Sequence, residues 1–404
     1  MPLSRLDAAR SRPAASNPLF LGALGLLMSF GPMSTDMYLP ALPAIGADFG
    51  VGQGEVQWSL SMFFLGFGIG QLVWGALGDR LGRRRPVAAG ILLYLVGCIG
   101  CSLAGDASQL AAWRFVQALG ACAGPVLARA MVRDVFERDR AASVLSLMML
   151  IMGIAPLAAP VLGGQILRVT DWRAIFWAQA GFGILALAGL AAMPETLPLA
   201  RRSTARLAGM VGAYLRLLAS RRYLGYAAGS AFIYGGMFAF ISGTPFVYIE
   251  LYGVGPQNYG YLFGINIVGM IIVNTINSRI VLRFGADRVL RAGCVLAALF
   301  GVLLLVSAAA GWAGLAGIVV PLFLFMAMTG LITANAMAGA MQAFPHAAGA
   351  ASAFAGMLQF GFGAISGAAV GFLANGSAVP MAGVICACGL LSLALNLWLV
   401  TRRA

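Results

Sequence analysis

The chain has 404 residues, 61% of them hydrophobic and only 10% charged. Soluble domains average about 25% charged residues, so a water-soluble fold is excluded and the chain reads as an integral membrane protein. Its net charge of +13 would suggest a nucleic-acid or anionic-surface partner in a soluble protein. Here every basic residue is an arginine, and their placement between apolar segments carries the information instead.

Residues 1–17 are polar and bear Arg5, Arg10 and Arg12. No short apolar stretch ending in a small-residue cleavage site follows, so they read as a cytoplasmic tail, not a signal peptide. Twelve stretches then reach the ~20 apolar residues that a membrane helix needs. The first six are 18–45, 55–78, 86–104, 107–132, 141–167 and 173–193. The second six are 223–250, 257–282, 288–310, 313–341, 347–374 and 379–400. Between them, 194–222 is the longest polar stretch and reads as a cytoplasmic linker, partly an amphipathic surface helix. The expected organisation is a tail 1–17, a six-helix bundle 18–193, the linker 194–222 and a second six-helix bundle 223–404. With the N-terminus inside, every arginine except Arg114, Arg168 and Arg173 falls on the same side. The positive-inside rule then places both termini in the cytoplasm. In this reading Arg129, Arg133, Arg138 and Arg140 belong to the loop after segment 4.

Segment 1 carries one charge, Asp36, in Thr35-Asp36-Met37-Tyr38-Leu39-Pro40. An ionised carboxylate in the hydrocarbon core costs at least ~3 kcal/mol, which a partner, water or a bound proton must offset. Pro40 lacks an N–H, so the carbonyl of Asp36 is expected to lose its helical donor. Segment 4 carries a second buried charge, Arg114, with Gln117 one turn along on the same face. Asp36 lies about nine residues from the arginine-poor end of its segment and Arg114 about seven, similar depths at ~1.5 Å per residue. A carboxyl poised between an attracting guanidinium and a desolvating bilayer can load and release a proton. Asp36 and Arg114 are therefore expected to pair, with a purely structural ion pair as the bland alternative.

The loop after segment 2 reads Gly75-Ala76-Leu77-Gly78-Asp79-Arg80-Leu81-Gly82-Arg83-Arg84-Arg85. Gly82 permits a turn closed to other residues. Asp79 is placed to latch onto the N-terminus of segment 11, near Pro345, where the helix carries a partial positive charge. The loop after segment 8, with Arg283-Phe284-Gly285, repeats the R-x-G of Arg80-Leu81-Gly82, which suggests two duplicated bundles around a central site. In segment 5, Pro156 and Pro160 remove two helix hydrogen bonds ahead of Gly163-Gly164, giving a kinked, smooth, closely packing surface. The six cysteines all lie inside apolar segments and read as buried free thiols. His346, the single histidine, reads as a cap on a cytoplasmic helix end, and Glu250 as a solvated residue at the opposite edge.

These stretches resemble three motifs of the major facilitator superfamily. The Gly75–Arg85 loop is similar to motif A, with Gly75, Asp79, Arg80, Gly82, Arg83 and Arg84 in its pattern. Trp113–Gly120 resembles motif B, with Ala118 where the family favours glycine. Gly153–Gly164 resembles the antiporter motif C, with alanine at 155 and 159. Together with Thr35–Pro43, Ala128–Phe136 and Asp171–Trp177, the chain resembles the Bcr/CflA branch of drug:proton antiporters. The resemblance implies a monomeric twelve-helix exporter driven by the proton gradient, without cofactor or metal. It implies Asp36 as the membrane-embedded acid and Arg114 as its motif B arginine.

On this expectation segments 1, 4, 7 and 10 line a cavity. Met33, Tyr38, Tyr234, Phe238, Phe240 and Asn335 are its candidate substrate contacts, with Asn266 and Gln359 beside them. Aromatics and methionine with sparse amides suit lipophilic, weakly polar drugs. The expected function is proton-coupled efflux of chloramphenicol- or bicyclomycin-like compounds across a bacterial inner membrane. The alternative is a proton-coupled exporter or symporter of an endogenous metabolite on the same fold. An enzyme is disfavoured because no metal-ligand cluster or Ser/His/Asp set is present, and a sensor because no soluble domain could relay a signal.

Overall fold

The computed structural model describes residues 18–202, 215–342, 344 and 348–400. The tail arginines, Arg206, Pro345, His346, Arg402 and Arg403, with the roles expected of them, lie outside the described residues. The described residues form helices and turns and no strand. Eleven helices are long and apolar enough to cross a membrane, and a bent pair, Pro18–Met28 with Phe30–Phe49, adds one more span.

The first span is the irregular one. Helix α1 (Pro18–Met28) gives way to α2 (Phe30–Thr35), a 3-10 turn (Leu39–Ala41) and α3 (Leu42–Phe49). Each break follows from a missing donor. Pro32 cannot bond the carbonyl of Met28, and Pro40 and Pro43 cannot bond those of Asp36 and Leu39. The chain bends by 47° between the two parts of the span. The following spans are α4 (Gln53–Leu81) and α5 (Arg84–Ser102). The fourth divides at Cys122 into α6 (Ala107–Ala121) and α7 (Ala123–Val135), three residues before Pro125. Then come α8 (Arg138–Val169), which runs through Pro156 and Pro160, and α9 (Arg173–Ala191).

Beyond the linker lie α10 (Arg221–Pro245), continued by a π-helical turn Phe246–Leu251, then α11 (Pro256–Phe284) and α12 (Ala286–Ala310). The last three are α13 (Gly314–Gln342), α14 (Ala348–Phe372) and α15 (Val379–Leu395). Large apolar side chains such as Leu92, Ile184, Ile365 and Phe372 stay exposed on the outer faces, since lipid tails solvate them as well as a core would. The repeated R-x-G loops fold alike. Gly82 and Gly285 have φ of +91° and +82°, which side chains rarely adopt, so glycine is needed at both.

Helices before the linker pack chiefly on one another, α4 and α5 against α6 and α5 against α9. Those after it do the same, α12 against α13 and α10 against α14 and α15. The two halves meet along two extensive seams, α4 against α14 and α8 against α11. The site lies between these seams, where the first span is broken.

One sequence expectation is corrected here. Arg129 and Arg133 are not in a loop: α7 continues to Val135, so both are helical, and Arg129 is only partly exposed. An amphipathic final turn and a cytoplasmic loop have similar composition, which is why hydropathy ended the segment early.

Candidate functional site

The break in the first span leaves polar backbone in an apolar interior. The amide of Asp36 makes the last α-helical bond of α2, to Pro32 O, and the amide of Tyr38 turns back to Thr35 O at 3.3 Å. The carbonyls of Met33 and Ser34 are therefore left as unpaired helix-end acceptors, costly where water cannot reach. Two side chains cap them. Arg114 Nη1 donates to Ser34 O at 2.9 Å, and Gln179 Nε2 donates to Met33 O at 3.1 Å and Ser34 O at 3.4 Å. Gln117 joins the two, accepting from Arg114 Nη1 at 2.6 Å and donating to Gln179 Oε1 at 2.8 Å.

Arg114 has no exposed surface. Its guanidinium lies 4.5 Å from the Tyr38 ring and 4.3 Å from the Phe63 ring, a cation–π sandwich that offsets part of its desolvation. Tyr38 is held by a 2.7 Å bond between its hydroxyl and Ser59. Nε and Nη2 of Arg114 have no partner. A buried guanidinium with two spare donors is an acceptor site waiting for an anion or carbonyl.

The expected Asp36–Arg114 pair is absent from this conformation. Among the described residues the ion pairs are Arg83 with Asp79 and Asp134, Arg173 with Asp48, and Arg202 with Glu195. The carboxyl of Asp36 is buried and accepts from the Thr35 hydroxyl at 2.8 Å. It stands within electrostatic reach of Tyr259 on α11, in the other half. Arg114 meets the first span at Ser34 O, and the turn at Asp36–Tyr38 carries the carboxyl off that face. The freed carbonyls are likewise a turn earlier than Pro40 alone implies: Asp36 O regains a donor from Leu39 N at 3.4 Å. Gln179 was missed altogether. Its signal was present, as the sole polar side chain in the apolar interior of segment 6.

Beside Asp36 the halves close on each other. A Cβ on Gly163 would collide with Met37 O, and one on Gly164 would fall 2.6 Å from Pro256 O of α11. The glycine pair after Pro156 and Pro160 thus receives the broken first span on one side and the second half on the other. Pro160 itself packs against Gly260 of α11. Gln57 Nε2 on α4 donates to Ser242 O on α10 at 2.8 Å, and Gly54 abuts Gly371 O on α14. The arginine-poor end is therefore sealed.

At the arginine-rich end the bonds run within one half. Arg83 is buried and bonds Asp79 at 2.6 Å and Asp134 at 2.7 Å, while its amide donates to Glu195 at 2.7 Å. Burial pulls the Arg83 pKa down, but the hydrogen bonds from Asp134 and Asp79 outweigh it and the net shift is upward. The side chain of Asp79 is 57% exposed and bonds Arg83, and the helix end near Pro345 expected to meet it lies outside the described residues. Arg80 and Arg84 are exposed, Arg84 bonding Ala191 O at 2.9 Å, and Gly75 has open space beside it.

The candidate substrate contacts divide. Met33 and Tyr234 keep accessible surface. Phe238 lies in an aromatic cluster between the halves, 4.1 Å from Phe64 and 5.2 Å from Phe360 by ring centroids. The others are occupied internally. Tyr38 is under Arg114, and Phe240 stacks on Phe263 at 5.0 Å. Asn266 bonds its own helix, Asn335 bonds Asn277, and Gln359 bonds Ser230. Position along an apolar segment cannot tell a cavity face from a helix–helix face. Glu250 is exposed and lines a 180 Å³ cleft beside Phe246 and Ser377. The six cysteines are buried and free.

Twelve candidate spans packed as two halves, with a buried polar network inside the first, define a polytopic membrane protein. The chain matches the Major Facilitator Superfamily over residues 24–368 and belongs to it. It is 34% identical to the "Bicyclomycin resistance protein homolog" of Haemophilus influenzae, over 95% of this chain and 97% of that one. It is 38% identical to the "Uncharacterized MFS-type transporter YdgK" of Bacillus subtilis, over 90% of each. It is 32% identical to a "Chloramphenicol resistance protein" of Pseudomonas aeruginosa, over 84% of this chain and 80% of that one. Among solved structures, the nucleoside transporter NupG superposes with a TM-score of 0.76 at 11% identity, over 95% of this chain and 99% of that one. A D-xylose-proton symporter does so at 0.73 and 14%, over 95% and 98%, so these two speak to the fold alone.

Proposed function

We propose that this chain is a proton-coupled exporter of small amphipathic molecules that works by alternating access in a bacterial inner membrane as a monomer. Its arginine-rich face and both termini are cytoplasmic, and the sealed end faces out. The relatives named for bicyclomycin and chloramphenicol resistance support drug-like cargo.

The observation that carries the reading is the broken first span. It sets a titratable carboxyl where the two halves meet, one residue from the carbonyl that Gly163 receives. A carboxylate there without a cation is costly, and a carboxylic acid is far less so. On losing its proton, Asp36 would be drawn to the free Nε and Nη2 of Arg114. That rotates the Asp36–Tyr38 turn and disturbs the Met37–Gly163 contact, next to which Gly164 meets Pro256 O of the other half. Proton occupancy thereby favours one packing of the halves over the other, the differential affinity that alternating access needs.

The test is drug-induced proton release from detergent-solubilised protein, wild type beside Asp36→Asn, over chloramphenicol-like compounds and cationic dyes. Release by wild type and not by Asp36→Asn is expected. Equal release by both would move the proton carrier elsewhere. No release by wild type with any compound would favour an exporter or symporter of an endogenous metabolite.

A further inference from the structure

Arg129 is unused by this cycle, and among the described residues its one hydrogen-bond partner is a backbone carbonyl of its own helix. It lies in the last third of the Ala107–Val135 span, and its Nε turns back to donate to Pro125 O at 2.9 Å, nearer the membrane centre. Its remaining donors bond no protein group among the described residues. Among the described residues the charged group acting on it is a second cation, Arg133, and its electrostatic contacts are otherwise Cys122 and, in the other half, Tyr234 of α10. The other deep arginines are provided for. Arg83 holds two carboxylates, and Arg114 is enclosed by carbonyls and rings with no exposed surface. Arg129 alone of these three is only partly buried, facing accessible Tyr234. The acid within the apolar interior, Asp36, lies at the other, sealed end. A half-buried cation without a counter-charge costs free energy that a bound acceptor recovers.

We infer that Arg129 is a substrate-discriminating residue, binding the electronegative end (carboxylate, nitro, sulfonyl or carbonyl) of the transported molecule. The chain accordingly prefers anionic and acceptor-rich neutral amphiphiles and disfavours permanent cations. Tyr234, in the other half and within electrostatic reach of Arg129, keeps accessible aromatic surface, so the preferred ligand carries its acceptor next to an aromatic or aliphatic body. This inference rests on the export reading above.

The experiment compares efflux of three probes from cells carrying wild type, Arg129→Gln, Arg129→Lys or Arg129→Glu. The probes are chloramphenicol, the anionic dye fluorescein and the cationic dye ethidium. Probe-dependent thermal stabilisation of the purified proteins is measured alongside. Losing a charge-assisted hydrogen bond corresponds to about tenfold. Arg129→Gln is thus expected to lose about that factor for chloramphenicol and fluorescein, with Arg129→Lys between it and wild type. Arg129→Glu is expected to gain ethidium. A wild type that exports ethidium better than the other two overturns the inference. So does an Arg129→Gln variant whose efflux and stabilisation match wild type, and in both cases the export reading survives. An equal loss for all three probes, without loss of fold, makes Arg129 a conformational residue and also overturns it. A wild type that exports none of the probes sinks both readings.

Discussion

The two halves of the molecule share a path through the membrane but handle polarity differently. The first half carries ionisable groups deep in its apolar interior: Asp36, Arg114 and Arg129. The buried polar pairs of the second half are neutral, Asn335 with Asn277 at 2.8 Å and Gln359 with Ser230 at 3.0 Å. Their matching loops differ in the same way. Arg83 is clamped between Asp79 and Asp134, whereas Arg283 is exposed beside the ring of Phe284 at 5.5 Å. A duplicated bundle thus need not duplicate its chemistry. One half holds the ionisable groups, and the other meets it with neutral polar pairs, along the seams of α14 with α4 and α11 with α8.

That contrast predicts unequal effects at equivalent positions. Arg83→Ala should cost about 3 kcal/mol and most of the transport, because it strands Asp134 against buried surface. Arg283→Ala should stay within about 0.5 kcal/mol of wild type. Thermal denaturation in detergent checks both, and similar losses would mean that the loops are energetically equivalent after all. The glycines of the same loops sharpen the comparison. Gly82→Ala adds a Cβ 2.5 Å from Glu195 Oε2 to an unfavourable φ, while Gly285→Ala meets open space and suffers the φ alone. Backbone strain of this kind costs about 1–3 kcal/mol, so Gly285→Ala should fall at the low end and Gly82→Ala at the high end or beyond. A reversed order would show that crowding at Gly82 is relieved by movement of Glu195.

The smallest contrast concerns the amides. Gln179→Leu removes a cap from two helix-end carbonyls and a partner from Gln117, and is expected to cost about 1.5 kcal/mol. Asn335→Leu breaks one interhelical bond, worth about 0.6 kcal/mol in membrane proteins. Thermal melts of the two variants, side by side, read the difference. If Asn335→Leu proved the more damaging, the second half would be the less tolerant of polar loss, and the comparison would fail.

Much of this was legible in the chain itself. Hydropathy located the spans because an apolar solvent admits few ways to satisfy a backbone. The R-x-G loops were visible because a positive φ selects glycine, and Asp36 and Arg114 stood out because charge is rare in hydrocarbon. Pro40 marked the first span as irregular, but the carbonyls left free, those of Met33 and Ser34, lie a turn before the one it implied. The sequence could not say which way the carboxyl turns once the helix is broken. That depends on Arg114 and Gln179 reaching the freed carbonyls from two other spans. Nor could it tell Tyr234, which keeps open surface, from Phe240, which stacks inside, or move Arg129 from a loop into the membrane. Periodicity records that a face is apolar. Only the packing of distant helices decides whether that face meets a neighbour, a lipid or a cavity.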